Sequence, residues 1–199
     1  AAALRYESAG MSDKRPNILL IMTDQQRRDC LGIARHPVLL TPTMDAIAGA
    51  GARFTRAYVT CPSCIAARRS LLSGQFPSTH GMVGYQDGVE WDAPPTLPGV
   101  LSQHGYQTYL VGRNMHQHPV RKRYGFDHME ISCHRQHCEY EAWLEQHAPD
   151  SGGYYGTGVM HNDWTAHPWH LPDALHHTNW TVTRALDFLE KRDPSCPFF

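Results

Sequence analysis

"NILLIMTDQQ", residues 17–26, carries an unbroken apolar run from Ile18 to Met22 that ends in polar residues. A run this short and apolar at every position fits a strand buried on both faces of a parallel sheet. Its carboxyl end, Asp24-Gln25, would then open onto the sheet edge where α/β proteins place their chemistry. Working outward, "TPTMDAIAGAG" (41–51) predicts a helix with Thr41 as N-cap, Pro42 at the first helical position and Gly49 and Gly51 as stops. "RFTRAYV" (53–59) alternates like a second strand. "TCPSCIAARRSLLSG" (60–74) reads as a turn around Pro62 and Ser63, then a helix of roughly ten residues closed by Gly74. "LPGVLSQHGY" predicts a helix ending at Gly105, and "QTYLVGR" a strand ending at Arg113. "EYEAWLEQHA" and "NWTVTRALDFLEKRD" are helical, with Val182, Ala185, Leu186 and Leu189 marking one face of the latter. The alternation predicts an α/β fold: a largely parallel mixed sheet flanked by helices. Residues 149–172, rich in Gly, Tyr, His, Trp and Pro, read as a long surface loop.

Composition narrows the class. The 199 residues suffice for one sizeable core, and 41% hydrophobic with 19% charged residues is ordinary for a globular chain. A net charge of −1 gives no broad attraction to nucleic acid or an anionic membrane. The apolar runs are too short to span a bilayer, and "AAALRYESAG" lacks the apolar segment of a signal peptide. Six cysteines do not make a disulfide scaffold at this size, so a cytoplasmic protein with reduced thiols is expected. Residues 1–15 read as a tag or disordered extension, with Met11 a natural start. "DPSCPFF" stops as a strand-like run begins, so 16–199 is expected to be the N-terminal part of a domain continuing beyond the chain.

Four groups of residues could carry chemistry. Asp24 and Gln25 offer a carboxylate and an amide oxygen, suited to a hard cation; the alternative is that Asp24 caps the next element. Cys64 falls at a helix start, where backbone N–H groups and the dipole favour an anion, and Arg68 follows one turn later on the same face. That set describes a site for a tetrahedral oxyanion, with Arg69 expected on a solvated face. The rival is a redox pair, Cys61-Pro-Ser-Cys64, of the kind a thioredoxin-like protein uses. In "LVGRNMHQHP", Arg113 can hold an anion and His116 can move a proton near neutral pH, though a lone loop histidine is often structural. Finally, "CHRQHC" pairs Cys133 with His137 and His134 with Cys138 at helical spacing. Those pairs lie on different faces and have no partner pair, so packing outweighs zinc. His161, His167, His170, His176 and His177 make no ligand set by spacing.

In order, these motifs resemble the sulfatase family of the alkaline-phosphatase-like superfamily. "PNILLIMTDQQRRDCLG" is similar to its first strand and metal-binding end, and "CIAARRSLLSG" to its signature, Cys-x-Pro/Ala-x-Arg followed by an apolar turn and Ser/Thr-Gly. "GYQTYLVGR", "KRYGFD" and "HHTNWTVTRALDFLEKRDPSCPFF" resemble later landmarks, so the similarity runs from Pro16 to Phe199. Only Cys64 has arginine at the fourth following position; for Cys61 that position is Ile65.

The resemblance implies that Cys64 is oxidised to Cα-formylglycine, whose hydrated aldehyde attacks the sulfur of a sulfate monoester. It implies Asp24, Gln25 and the residue derived from Cys64 as ligands of calcium, with magnesium or manganese as alternatives. Gln25 stands where many members have a second Asp. Arg68 matches the arginine that orients the formylglycine. Arg113 stands where Gly-Lys-Trp-His or Gly-Lys-Met-His is usual, and His116 lies one residue late against that pattern. Ala66 replaces the commoner proline, which favours an anaerobic radical maturase as partner over the oxygen-dependent one. The remaining ligands would come from a C-terminal segment. The implied substrate is a small-molecule or carbohydrate sulfate ester, with a phosphonate monoester or phosphodiester hydrolase as the alternative within the superfamily.

Overall fold

The computed structural model describes residues 15–113, 116–132, 138–159 and 163–199. The chain divides into two units, Leu20–Thr60 and the remainder, residues up to Leu19 with Cys61–Phe199.

In the smaller unit the one α-helix among the described residues is α1, Pro42–Ala50, with Pro42 in its first turn and Gly51 just past its end, as expected. Thr41 precedes it but does not cap it with its side chain. Its hydroxyl instead accepts from Gly32 N (2.8 Å) and donates to Asp45 Oδ1 (2.9 Å), and that carboxylate also takes Ile33 N (2.9 Å). The polar chemistry of the helix start thus ties it to the short 3₁₀ turn Gly32–Ala34. The strands expected at 17–26 and 53–59 do not form. Ile18 N reaches Phe198 O at 2.8 Å, but no ladder continues along 19–23 or 53–59 among the described residues. Leu19 to Met22 stay exposed, at 63, 50, 70 and 44%. A strand exists only where a neighbour satisfies its backbone, so an apolar run by itself does not make one.

The larger unit holds the core. α2, Cys64–Ser73, follows an extended Ser63 and ends at Gly74, whose φ of 69° is the left-handed cap that glycine adopts without strain. The short α3, Pro77–His80, follows. α4, Leu97–Gln103, starts at Thr96, whose Oγ1 accepts from Gly99 N (3.3 Å) and donates to Tyr124 O (2.6 Å). β1, Tyr109–Gly112, pairs in parallel with β2, His128–Ile131, Tyr109 opposite His128 and Gly112 opposite Ile131. The pairing continues on the other side of β1. A parallel bridge joins Gln107 to Phe198, and Tyr109 N donates to Phe199 O (2.9 Å). The strand-like reading of "CPFF" therefore holds. α5, Glu139–His147, and α6, His177–Lys191, complete the regular elements.

Strand alternation places cores on both faces of this sheet. Leu110 packs with Leu72, Trp91, Tyr124 and Phe126, whereas its neighbour Val111 packs with Ile131, Tyr140, Leu144 and Trp180. Leu72 brings α2 to the first cluster, and Tyr140, Leu144 and Trp180 bring α5 and α6 to the second. This is the covered parallel sheet that the alternation predicted. The face expected for α6 is not the one it buries: Val182 and Leu186 are 51 and 59% exposed. The neighbouring face does the packing. Trp180 is buried, and Phe188 stacks on Tyr109 with ring centroids 4.5 Å apart. The large aromatic rings outweigh the aliphatic stripe.

"KRYGFD" is locked to the strand end. Asp127 Oδ2 accepts from Thr108 N and Oγ1, both at 3.0 Å, and Oδ1 accepts from Ser102 Oγ at 2.7 Å. Gly125, at φ 97°, has no room for a side chain, since a Cβ would lie 2.4 Å from Thr96 Oγ1 and 2.5 Å from Gly99 N. The described residues of the 149–172 stretch hold no regular element beyond the 3₁₀ turn Gly153–Tyr155, and Tyr154 packs edge-on against Tyr140 (6.4 Å), anchoring that turn to the core. Among the described residues, no helix is long and apolar enough to cross a membrane.

Candidate active site

Cys64 occupies the first position of α2, half-buried, where free N–H groups and the helix dipole favour negative charge. Arg68 lies one turn further along the same helix and is only 8% exposed. Cys61 packs beside Ile65, Ala66 and Met82, and the thiols of Cys61 and Cys64 are free rather than bridged. Cys61 thus sits in a small apolar cluster on the flank of α2. Ala66, at the signature's proline position, is fully buried at 0%.

Arg69 is not on a solvated face, contrary to expectation; it is 3% exposed. Its Nε donates to Gln117 Oε1 (2.9 Å), its Nη2 to Val89 O (2.8 Å), and its guanidinium lies over the Trp91 ring, 5.2 Å from the centroid. Burial pushes its pKa down, as loss of water disfavours a cation. A signal was present in the sequence: Ile65, Arg69 and Leu72 share one helical stripe, and its two outer members are core residues.

Arg113 follows β1 directly. Its Nη1 lies 2.8 Å from His116 Nε2. A guanidinium can only donate, so Nε2 accepts, which places the neutral ring's proton on Nδ1. His116 sits at φ 54°, in the left-handed region. A ring nitrogen of His116 and Sγ of Cys64 lie within 4.8 Å of one another. The histidine read as one residue late therefore does reach the helix start, by this strained turn. Tyr154 flanks Arg113: burial raises the phenol above its usual range, and the Arg113 charge opposes this. Gln117, which sequence reasoning passed over, is 2% exposed and donates from Nε2 to Ile65 O at 3.3 Å.

Asp24 and Gln25 belong to the smaller unit, where both are exposed and Gln25 turns the chain at φ 53°. A carboxylate and an amide oxygen, side by side on a turn, are hard donors that fit calcium or magnesium. Of the sequence's zinc candidates, Cys133, His134 and His137 lie outside the described residues, as does His161. Cys138 is buried in the core at 3%. His167, His170, His176 and His177 form no ligand cluster among the described residues.

A helix N-terminus bearing a thiol, with an arginine one turn on and a histidine ring within 4.8 Å of the thiol, is an arrangement that can hold a tetrahedral oxyanion. The family model described as Sulfatase matches residues 16–199, and the chain belongs to the sulfatase family. It is 38% identical to an arylsulfatase of Clostridium perfringens over 93% of this chain, which spans 42% of that protein's length. A structure solved in complex with its substrate D-glucosamine-2-N,6-O-disulfate superposes at TM-score 0.67 and 27% identity, covering 93% of this chain and 33% of that one. The phosphonate monoester hydrolase of Agrobacterium radiobacter superposes at TM-score 0.73 and 24% identity, over 93% of this chain and 40% of that one. These likenesses give the fold as alkaline-phosphatase-like.

Proposed function

We propose that the protein hydrolyses a sulfate monoester to an alcohol or phenol and inorganic sulfate. The observation that carries this is the placement of Cys64 at the start of α2, with buried Arg68 one turn behind and His116 within 4.8 Å, in a chain of the sulfatase family. Cys64, converted to formylglycine by a maturase, would supply the nucleophilic hydroxyl, and a calcium ion drawn to the hard donors Asp24 and Gln25 would supply the Lewis acidity. The side chains of this chain do the rest. Arg68 offers a rigid fork to the equatorial oxygens and the helix N-terminus adds N–H donors, so charge developing in the transition state meets dipoles already in place. Arg113 adds a second cation at the rim and orients the His116 ring, whose Nδ1–H is left to donate a hydrogen bond to the leaving oxygen. The substrate class, an aryl or carbohydrate sulfate, follows the two relatives named above and is proposed with the activity. The test is turnover of an aryl sulfate beside the matching aryl phosphonate. Preference for the sulfate supports the reading, and preference for the phosphonate would replace it with the related hydrolase.

A further inference from the structure

His116 is held from two sides, and only one hold belongs to the site itself. Arg113 fixes the ring. The backbone is fixed by the next residue, Gln117, whose side chain is buried and used at both ends. Its amide oxygen accepts from Arg69 Nε at 2.9 Å, and its amide nitrogen donates to Ile65 O at 3.3 Å. Both partners lie on α2, and Ile65 directly follows Cys64. The far side of the segment is tied as well. His118 bridges Glu90, its carbonyl accepts from Trp91 N at 3.2 Å, and Trp91 lies under the Arg69 guanidinium.

A guanidinium with 3% exposure bonds here to the amide of Gln117 and the carbonyl of Val89. A buried cation is costly unless its donors are satisfied. Losing Gln117 would thus disturb Arg69 and the 116–118 turn together. The turn it would release is the one in which His116 adopts a left-handed φ of 54°. Such a conformation persists only where its surroundings hold it.

We infer that Gln117, clamped between Arg69 and the Ile65 carbonyl, is a positioning residue that sets the His116 ring against Cys64. The role rests on the sulfate-ester reading for its catalytic consequence, but not for its geometry. It predicts an asymmetric effect: substrate should bind as before while the chemical step slows. Gln117→Met keeps the shape and removes both hydrogen bonds. Gln117→Glu keeps the acceptor for Arg69 and loses the donor to Ile65.

The experiment measures kcat, KM and melting temperature with an aryl sulfate, together with imidazole ¹⁵N–¹H spectra of the His116 ring. For Gln117→Met the expected result is a fall in kcat of about tenfold or more, the scale for residues that orient a site from behind, at little-changed KM. The His116 ring signals should shift, and Gln117→Glu should recover part of both. Unchanged kcat, or a loss that tracks melting temperature while the His116 signals stay in place, would overturn the inference. If Gln117→Met does not fold, Gln117→Glu and Arg69→Lys carry the same two readouts. Should the wild-type protein turn over no sulfate ester, the proposed function fails, and the ring spectra still decide whether the clamp holds His116.

Discussion

Replacing Arg68 separates a charge effect from a geometric one. The residue lies four positions beyond Cys64, roughly 6 Å along the helix axis at ~1.5 Å per residue, on the same face. Being only 8% exposed, it acts with little water to screen it. Removing a single preorganised donor to a developing oxyanion costs about 2.7–4 kcal/mol, or roughly 10²–10³ in rate, and Arg68→Ala should fall in that range. Arg68→Lys restores the charge but not the planar fork, so it should remain at least about tenfold below wild type, since a point charge engages one oxygen where the fork engages two. The assay is kcat/KM on a chromogenic aryl sulfate, with melting temperature measured on the same preparations. This separates the void left in the helix face from the lost contact. A lysine variant at near wild-type rate would refute bidentate anchoring. So would an alanine variant whose rate falls only in proportion to its folded fraction.

Cys64→Ala should abolish turnover while Cys61→Ala leaves much of it, because Cys61 sits in a small apolar cluster. Equal loss in the two variants would revive the redox reading, which needs both thiols. Asp127 provides a pH signature of the fold. Burial alone would raise its pKa, but the hydrogen bonds from Thr108 and Ser102 outweigh it and hold the carboxyl below its ordinary 3.8. A depressed pKa contributes stability above the unfolded value that is lost as pH falls through the folded one. The gap in melting temperature between wild type and Asp127→Asn should therefore be full at neutral pH and shrink as pH drops below about 3.8. A gap independent of pH would show that the carboxylate charge is not what Thr108 and Ser102 hold.

Local signals carried much of the larger unit. The turn at Pro62-Ser63, the helix closed by Gly74, the strand in "QTYLVGR" and the helices near 97, 139 and 177 all follow from caps, glycines and periodicity within a few residues. What escaped was non-local. "NILLIM" has strand composition, but among the described residues its backbone bonds only to Phe198, 180 residues away, at Ile18. The buried face of α6 was misread because the aliphatic residues were weighed above Trp180 and Phe188, whose partners lie on other elements. Charge usually means water, which argues for a solvated Arg69, whereas its place between Ile65 and Leu72 argues for burial, and burial wins. Gln117 gives no local sign at all: its partners are 48 and 52 residues distant, and nothing in "HQHP" announces a buried amide. The placement of Cys64 and Arg68 on one helix, and of Arg113 just past a strand, was legible because helix periodicity and the strand end are short-range signals.

The central claim is that Cys64, not Cys61, becomes the nucleophile-bearing residue. Trypsin should release residues 57–68, "AYVTCPSCIAAR", which hold both cysteines in one peptide. Tandem mass spectrometry of that peptide, taken from a preparation that turns over aryl sulfate, tests the claim most directly. The account predicts an aldehyde in place of the thiol at Cys64 and an unmodified thiol at Cys61. Active protein in which Cys64 is uniformly an intact thiol would contradict it.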